Sequence, residues 1–524
     1  MGKPIPFSIT DFAGGMISNP RSTDFKYSQL VKNFDLNIYP KRLYPVRDTE
    51  DGDSASATSK KQNFCVAKKD TTPTYAVYAL GVKSGLATAE ISYKLLTELS
   101  DASWTNLGTT AKYQSSGNAT DFPLFTYYQK KGLIYGGSSN AGSSSKIWAY
   151  DPTGTTDFQD DQVTADGGTP FNFKEIGQGI VHSKDDIFYF PYDDGTNWQI
   201  AKNNNGTWTN TAISGGLPAF YRVTSICEYE NYIAIAVAPR SGLGNSRVYI
   251  WDRDSTLTTL TGNPDWGEGN ITIIEEIEGS LIGVSYVGNI VAAAPVTFKG
   301  KLVLRQYSGG VATIFNQLIV DSSIVMDIFH KQKINQYLYF PLSTKLNGAT
   351  LRGIWRIGRN IPTEPFALSL YQFAENDETD TVLEGFFIVG DYVFTSYSDV
   401  TGGAFHLSKT NDTASYTATS IYESLIINGG NSRLKKDLEG VTVTTDYLPT
   451  DGQVVLKYQI DENIGGTTWI TIFTNTTDNS ISYSAVTSLP KAWKEIVFRI
   501  ESTGGAVITG LHGKLDVIGA DIYD

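Results

Sequence analysis

An apolar segment followed by a short polar turn and a second apolar segment recurs seven times along the chain. The copies begin at Tyr75–Ala79, Leu133–Tyr135, Ile187–Phe190, Tyr232–Ala236, Leu302–Leu304, Tyr337–Phe340 and Tyr392–Thr395. In most of them a Gly, Asn, Asp or Gln stands just before the segment, and good second segments are Lys146–Asp151 and Arg247–Asp252. Short apolar runs bounded by turn residues read as strands, and a hairpin copied many times means one unit stacked on itself. Successive starts lie 58, 54, 45, 70, 35 and 55 residues apart. A propeller blade, four antiparallel strands in about 40–50 residues, fits that spacing better than a solenoid coil. The uneven steps of 70 and 35 assign the Leu302 hairpin to a neighbouring blade. The pattern predicts seven blades, with six as the alternative.

Texture divides the chain into three regions. Residues 1–61 carry no repeat, contain Pro4, Pro6, Pro20, Pro40 and Pro45, and end in a polar run from Asp48 to Lys61. Proline fixes φ and interrupts ladders, so this region reads as an extended N-terminal arm. Phe7, Ile9, Phe12, Leu30, Phe34, Leu36, Ile38, Leu43 and Tyr44 give it enough apolar side chains to dock. Residues 62–411 hold the propeller. Residues 412–524 alternate apolar and polar positions in runs such as Gly452–Ile460, Thr468–Phe473 and Glu495–Ile500. They read as a jelly-roll-like β-sandwich of roughly eight strands.

Composition agrees with an all-β chain: aromatics make up 12%, with 30 Tyr, 25 Phe and 50 Gly among 524 residues. Such residues favour pleated, half-buried strands. The net charge of −13 opposes a general DNA-coating surface, which needs clustered cations. Cys65 and Cys227 sit in apolar strand patterns and read as buried free thiols. Met1 to Pro4 opens a mixed segment without an apolar leader, and no run approaches a membrane span. The five Asn-X-Ser/Thr triplets, at Asn118, Asn205, Asn270, Asn411 and Asn475, are expected by chance in a chain so rich in Asn and Thr.

Few residues invite catalysis. The four histidines, His182, His330, His406 and His512, are scattered and lack the i, i+4 spacing of a helical zinc site. Asp193-Asp194-Gly195-Thr196-Asn197-Trp198 resembles the Asp-box of sialidase-like propellers, which braces a blade hairpin, although Pro191 replaces the expected hydroxyl residue. Asp252 with Asp254, and Asp157 with Asp160 and Asp161, read as turn chemistry rather than as glycosidase acids, which must stand about 5–10 Å apart across a sugar. Asp48–Asp53 lacks the flanks of a calcium loop. Trp148, Trp198, Trp208, Trp251, Trp355, Trp469 and Trp493 read as core before they read as sugar platforms. No catalytic, cofactor-binding or metal-ligating residue is assigned, no cofactor is expected, and the chain is expected not to be an enzyme.

The most distinctive text lies outside the repeat. Phe12–Met16, Asn19-Pro20-Arg21, Leu30–Asp35 and Tyr39–Leu43 are similar to the opening of bacteriophage virion proteins, the tail hub or nozzle propellers of short-tailed phages. Leu448–Val454 with Trp469 and Phe498–Gly505 resemble terminal sandwich domains of phage structural proteins. This resemblance implies a non-enzymatic tail subunit in the virion, made in the bacterial host cytoplasm. It implies a homo-oligomeric ring, often a hexamer, that touches the portal adaptor and tail fibres and forms part of the conduit for DNA ejection. The alternative is a glycan-binding or glycan-cleaving propeller, such as a receptor-recognising tail-tip protein. A bacterial surface scaffold is a third, weaker reading.

Overall fold

The computed structural model describes the 524-residue chain apart from residues 1–3, 18–20, 22–23, 37–40, 53–58, 71–73, 84–88, 102, 111–120, 140–146, 155–157, 160–172, 215, 242–243, 255–261, 263, 294–295, 320–329, 347–348, 360–361, 374–380, 400–404, 411–414, 417–418 and 521–524. It is nearly all-β and propeller-like. Seven antiparallel sheets follow one another along the chain. The first comprises Ser59–Lys68, Tyr75–Lys83, Ala89–Leu95 and Thr105–Thr110, and the second Asp121–Tyr128, Leu133–Ser139, Ile147–Tyr150 and Phe158–Gln159. The third has five strands, Glu175–Ile176, Ile180–His182, Ile187–Asp193, Trp198–Asn204 and Thr207–Thr209. Tyr221–Tyr229, Tyr232–Pro239, Asn245–Trp251 and Asp265–Glu268 form the fourth; Asn270–Ile277, Ser280–Ala293, Val296–Ser308 and Val311–Ile319 form the fifth. The sixth is Gln332–Ile334, Tyr337–Leu346, Ala349–Gly358 and Ala367–Phe373.

The seventh sheet joins the two ends of the series. Thr381–Val389, Tyr392–Asp399 and Phe405–Thr410 come from the end of the repeat, whereas the outer strand, Glu50–Asp51, comes from before its beginning. Consecutive sheets pack on one another, through the first strand in the first, fourth and fifth, through Tyr337–Leu346 in the sixth, and with Leu133–Ser139 and Ile187–Asp193 taking part in the second and third, and the seventh packs on the first.

Tyr75, Leu133, Tyr232, Tyr337 and Tyr392 begin the second strand of their sheets, and Ile187 begins the strand that follows the two short leading strands of the third. The exception is a correction. Leu302–Leu304 lies on the third strand of the fifth sheet, whose second strand begins at Ser280. With Ser280 in its place the steps become 58, 54, 45, 48, 57 and 55 residues. Gly283 interrupts the apolar run there, and the indole of Trp266 accounts for it: a Cβ on Gly283 would stand 2.5 Å from Trp266 Cζ2.

The first 61 residues, expected as an arm, enter sheets of their own chain. Ile5–Ile9 pairs antiparallel with Ile508–Ala520, at one edge of a four-stranded sheet continued by Leu434–Thr445 and Ser482–Ala485. Gly15–Met16 and Tyr27–Lys32 lead a six-stranded sheet completed by Ser420–Ser424, Ile496–Thr503, Gln453–Ile460 and Ile470–Asn475. Phe7 stacks on Phe498 at 5.7 Å and Phe12 meets Tyr422 edge-on at 5.0 Å, so the two sheets share a core. That core continues without a break into the fifth and sixth sheets through Leu304, Trp355 and Leu368. The apolar side chains of the N-terminal segment are therefore buried by intrachain pairing.

Candidate functional site

The first strands of four sheets and the second strand of the third converge on a cavity of about 600 Å³. Thr126 and Tyr127 reach it from the second sheet, Ile180 and Val181 from the third, and Cys227 and Glu228 from the fourth. Glu275 and Glu276 come from the fifth and Lys333 from the sixth, while Glu230 stands at the turn that ends the first strand of the fourth. A turn directly after each of these strands brings their last residues to one end of the ring. Glu230, Glu278 and Asn335 occupy two-residue turns with positive φ, which matches the strand twist, and Asp186 closes a four-residue turn in the same way; all four φ lie between 49° and 54°.

Charge is unevenly shared here. Four glutamates and one lysine, Lys333, line the cavity, and Lys331 stands beside Glu275. Lys331 Nζ lies 2.8 Å from Glu275 Oε2 and donates to the Ile226 and Ile274 carbonyls at 2.8 and 2.5 Å, so it ties the fourth sheet to the fifth. Lys333 Nζ stands 2.5 Å from Glu276 Oε2. Glu228 accepts the backbone N–H of Ser183. Both lysines thus lie against fifth-sheet carboxylates, and the cavity carries an acidic surplus. Burial pushes the Cys227 thiol up, which leaves it protonated and unreactive at neutral pH. Carboxylates fixed in this way accept paired hydrogen bonds from neighbouring hydroxyls, and the half-buried Tyr127 ring offers an apolar face beside them.

A histidine cluster adjoins the wall. His182 is buried; its Nδ1 lies 3.4 Å from Asp185 Oδ1 and 3.1 Å from Arg253 Nη1, which also pairs with Asp185 Oδ2. Burial and then the Arg253 guanidinium hold its pKa below the ordinary value, with Glu228 and Asp185 acting in the opposite sense. The other histidines stand apart. His330 is buried ahead of the sixth sheet, His406 stacks on Tyr397 at 4.9 Å, and His512 Nδ1 is 2.7 Å from Ser8 Oγ.

The Asp-box-like turn lies at the opposite end of its sheet from the cavity. Asp193 Oδ1 accepts the Gly195 N–H at 2.9 Å, Asp194 Oδ1 accepts those of Thr196 and Asn197, and Arg240 from the fourth sheet donates to Asp193 Oδ2 at 2.9 Å. It braces a hairpin and staples two sheets. Asp252 likewise caps its own turn through the Asp254 N–H at 3.1 Å, and Asp157, Asp160 and Asp161 lie outside the described residues. Trp148, Trp251, Trp355 and Trp493 are buried, with Trp469 half-exposed against the Arg499 guanidinium at 4.1 Å. None of these brings a carboxylate pair to the axis. The glutamates that do converge were invisible as a set, because they are spread over sheets about fifty residues apart. Their one common signal is position, at the end of each first strand.

No protein-family model matches the chain, and no curated protein sequence matches it. Solved structures do. A GH43 glycoside hydrolase engineered for endo-xylanase and exo-arabinofuranosidase activity is 11% identical, over 90% of this chain and all of its own, with a TM-score of 0.27. The Trypanosoma rangeli sialidase in complex with sialic acid is 11% identical over 96% of both chains, with a TM-score of 0.34. The Dos1 propeller is 10% identical, over 69% of this chain and 94% of its own, with a TM-score of 0.39. None of these three is a phage tail protein. The expectation that this chain is not an enzyme is withdrawn: the structures it is similar to include hydrolases and sialidases, and at these scores they assign it neither an activity nor the lack of one. With TM-scores below 0.5 these likenesses carry no argument, and the site must be judged on its own residues.

Proposed function

We propose that this protein is a seven-bladed propeller with a C-terminal sandwich that acts on glycans through the axial cavity. The observation that carries the reading is the convergence of Glu228, Glu230, Glu275, Glu276 and Tyr127 from separate sheets on one open volume of about 600 Å³. Carboxylates beside an aromatic face match the two halves of a sugar, its hydroxyl edge and its apolar C–H face. The acidic surplus further favours neutral or amino sugars, since an anionic sugar would meet four carboxylates and one lysine already engaged with Glu276. Carried on a virion, as the N-terminal and C-terminal resemblances imply, the same module would recognise a cell-surface glycan.

A glycan array with the purified protein, followed by a screen of aryl glycosides for turnover, tests this. Binding or cleavage of neutral or amino sugars is expected, with at least tenfold weakening in Glu228→Gln and Tyr127→Ala that retain the native circular dichroism. No binding and no turnover across both screens would overturn it.

A further inference from the structure

The outer strand of each sheet is an open edge, and unpaired edge N–H and C=O groups attract foreign strands unless the edge is short, charged or covered. Most outer edges here are protected. Phe158–Gln159 and Glu50–Asp51 are two residues long, Thr207–Thr209 is three, and Asp265–Glu268 has a carboxylate at each end. Thr105–Thr110 is polar apart from one leucine, and Ala367–Phe373 is covered by the N-terminal segment, where Gly15 lies against the Leu368 carbonyl.

Val311–Ile319 of the fifth sheet is different. It runs for nine residues, Val-Ala-Thr-Ile-Phe-Asn-Gln-Leu-Ile, without a charge or a proline. Val311, Ile314 and Ile319 are 60%, 54% and 61% exposed. Among the described residues no strand pairs with its outer edge. The strand is nonetheless held firmly from behind: Asn316 Nδ2 donates to the Met16 carbonyl at 2.9 Å, and Phe315 packs on Phe366 at 5.7 Å.

We propose that this edge pairs antiparallel with the same strand of a second copy, about a twofold axis. The strand's own sequence selects the occupant, and charge selects the place. With a net charge of −13 two copies repel over most of their surfaces, and this neutral nine-residue edge is where close approach costs least. The sequence is also largely self-complementary when reversed on itself: Val311 meets Ile319, Ala312 meets Leu318 and Thr313 meets Gln317, and the one mismatch, Ile314 with Asn316, falls beside the central Phe315, where the Asn316 side chain is turned to the Met16 carbonyl. The register shift at Phe315 falls at the centre of that pairing and turns its ring inward onto Phe366, leaving the two halves of the strand to pair.

Sedimentation velocity and light scattering on the full chain test this over a wide concentration range. The wild type is expected as a dimer. Val311→Lys combined with Ile314→Lys should sediment as a monomer with unchanged circular dichroism and thermal transition. Gln317→Lys, which removes no apolar side chain, should give the same loss through edge charge alone. A wild type that stays monomeric throughout would overturn the proposal, and so would dimers that survive in both variants.

Discussion

Arg356 of the sixth sheet is buried, and its Nη2 donates to Oδ1 of Asp35 in the N-terminal segment, 321 positions earlier in the chain. Tyr337, Tyr339 and Tyr371 surround the guanidinium with ring centroids at 5.0, 5.9 and 4.8 Å. Asp35 stabilises the charged guanidinium and, despite the burial, raises its pKa. One ion pair thus fastens the segment that feeds the C-terminal sheets to the wall of the sixth sheet.

Asp35→Ala leaves that guanidinium buried among three tyrosines with no anion. Breaking a buried pair from one side costs about 3–5 kcal/mol, and urea denaturation should show a loss of that order. Asp35→Leu combined with Arg356→Met should recover much of it, because the isolated charge is then gone as well.

Removal of residues 1–52 should abolish cooperative folding rather than trim a free arm. The truncation takes Glu50–Asp51 from the seventh sheet and three strands from the two C-terminal sheets. Thermal scans of the truncated chain are expected to lose the sharp transition of the full-length protein.

His182 should make stability depend on pH. Its native pKa lies below 6.5 because of burial and Arg253, while Glu228 and Asp185 pull the other way. A base with a depressed native pKa takes up protons more readily when unfolded, so its neutral form supports the fold above pH about 6.5 and the support falls as pH drops below that value. Denaturation midpoints measured between pH about 5 and 8 should decline on the acid side. The decline should flatten in His182→Asn.

Lys436 is buried and donates to three carbonyls, those of Asn431, Leu434 and Lys494, at 2.6, 2.7 and 3.1 Å. Lys436→Met keeps the apolar stem and strips the donors from all three. About 1–3 kcal/mol is expected for each acceptor left without a partner in the interior, less where water enters. A shift of the thermal transition, read from Trp493 fluorescence beside the ammonium, would report it.

The second strands were legible in the sequence because they are apolar on both faces: in Tyr232–Pro239 seven of eight residues are buried. The fifth sheet escaped that reading because Gly283 had given up its side chain to the indole of Trp266, a neighbour from another sheet. The axial glutamates were unreadable for a related reason. Glu228 and Glu275 sit 47 positions apart, and a carboxylate at the end of a strand looks the same whether it faces solvent or a cavity.

By itself the sequence determined the strands, the turns that separate them and the buried state of both cysteines, since these depend on local alternation and on apolar content. Tertiary structure alone decided where the proline-rich opening goes. The prolines of residues 1–61 suggested an arm, yet Ile9 and Phe12 are buried against strands some four hundred or more residues away. Pairing of that kind leaves no periodic trace in the chain. It is selected by the free edges that the C-terminal sheets offer, and by one carboxylate matched to one buried guanidinium.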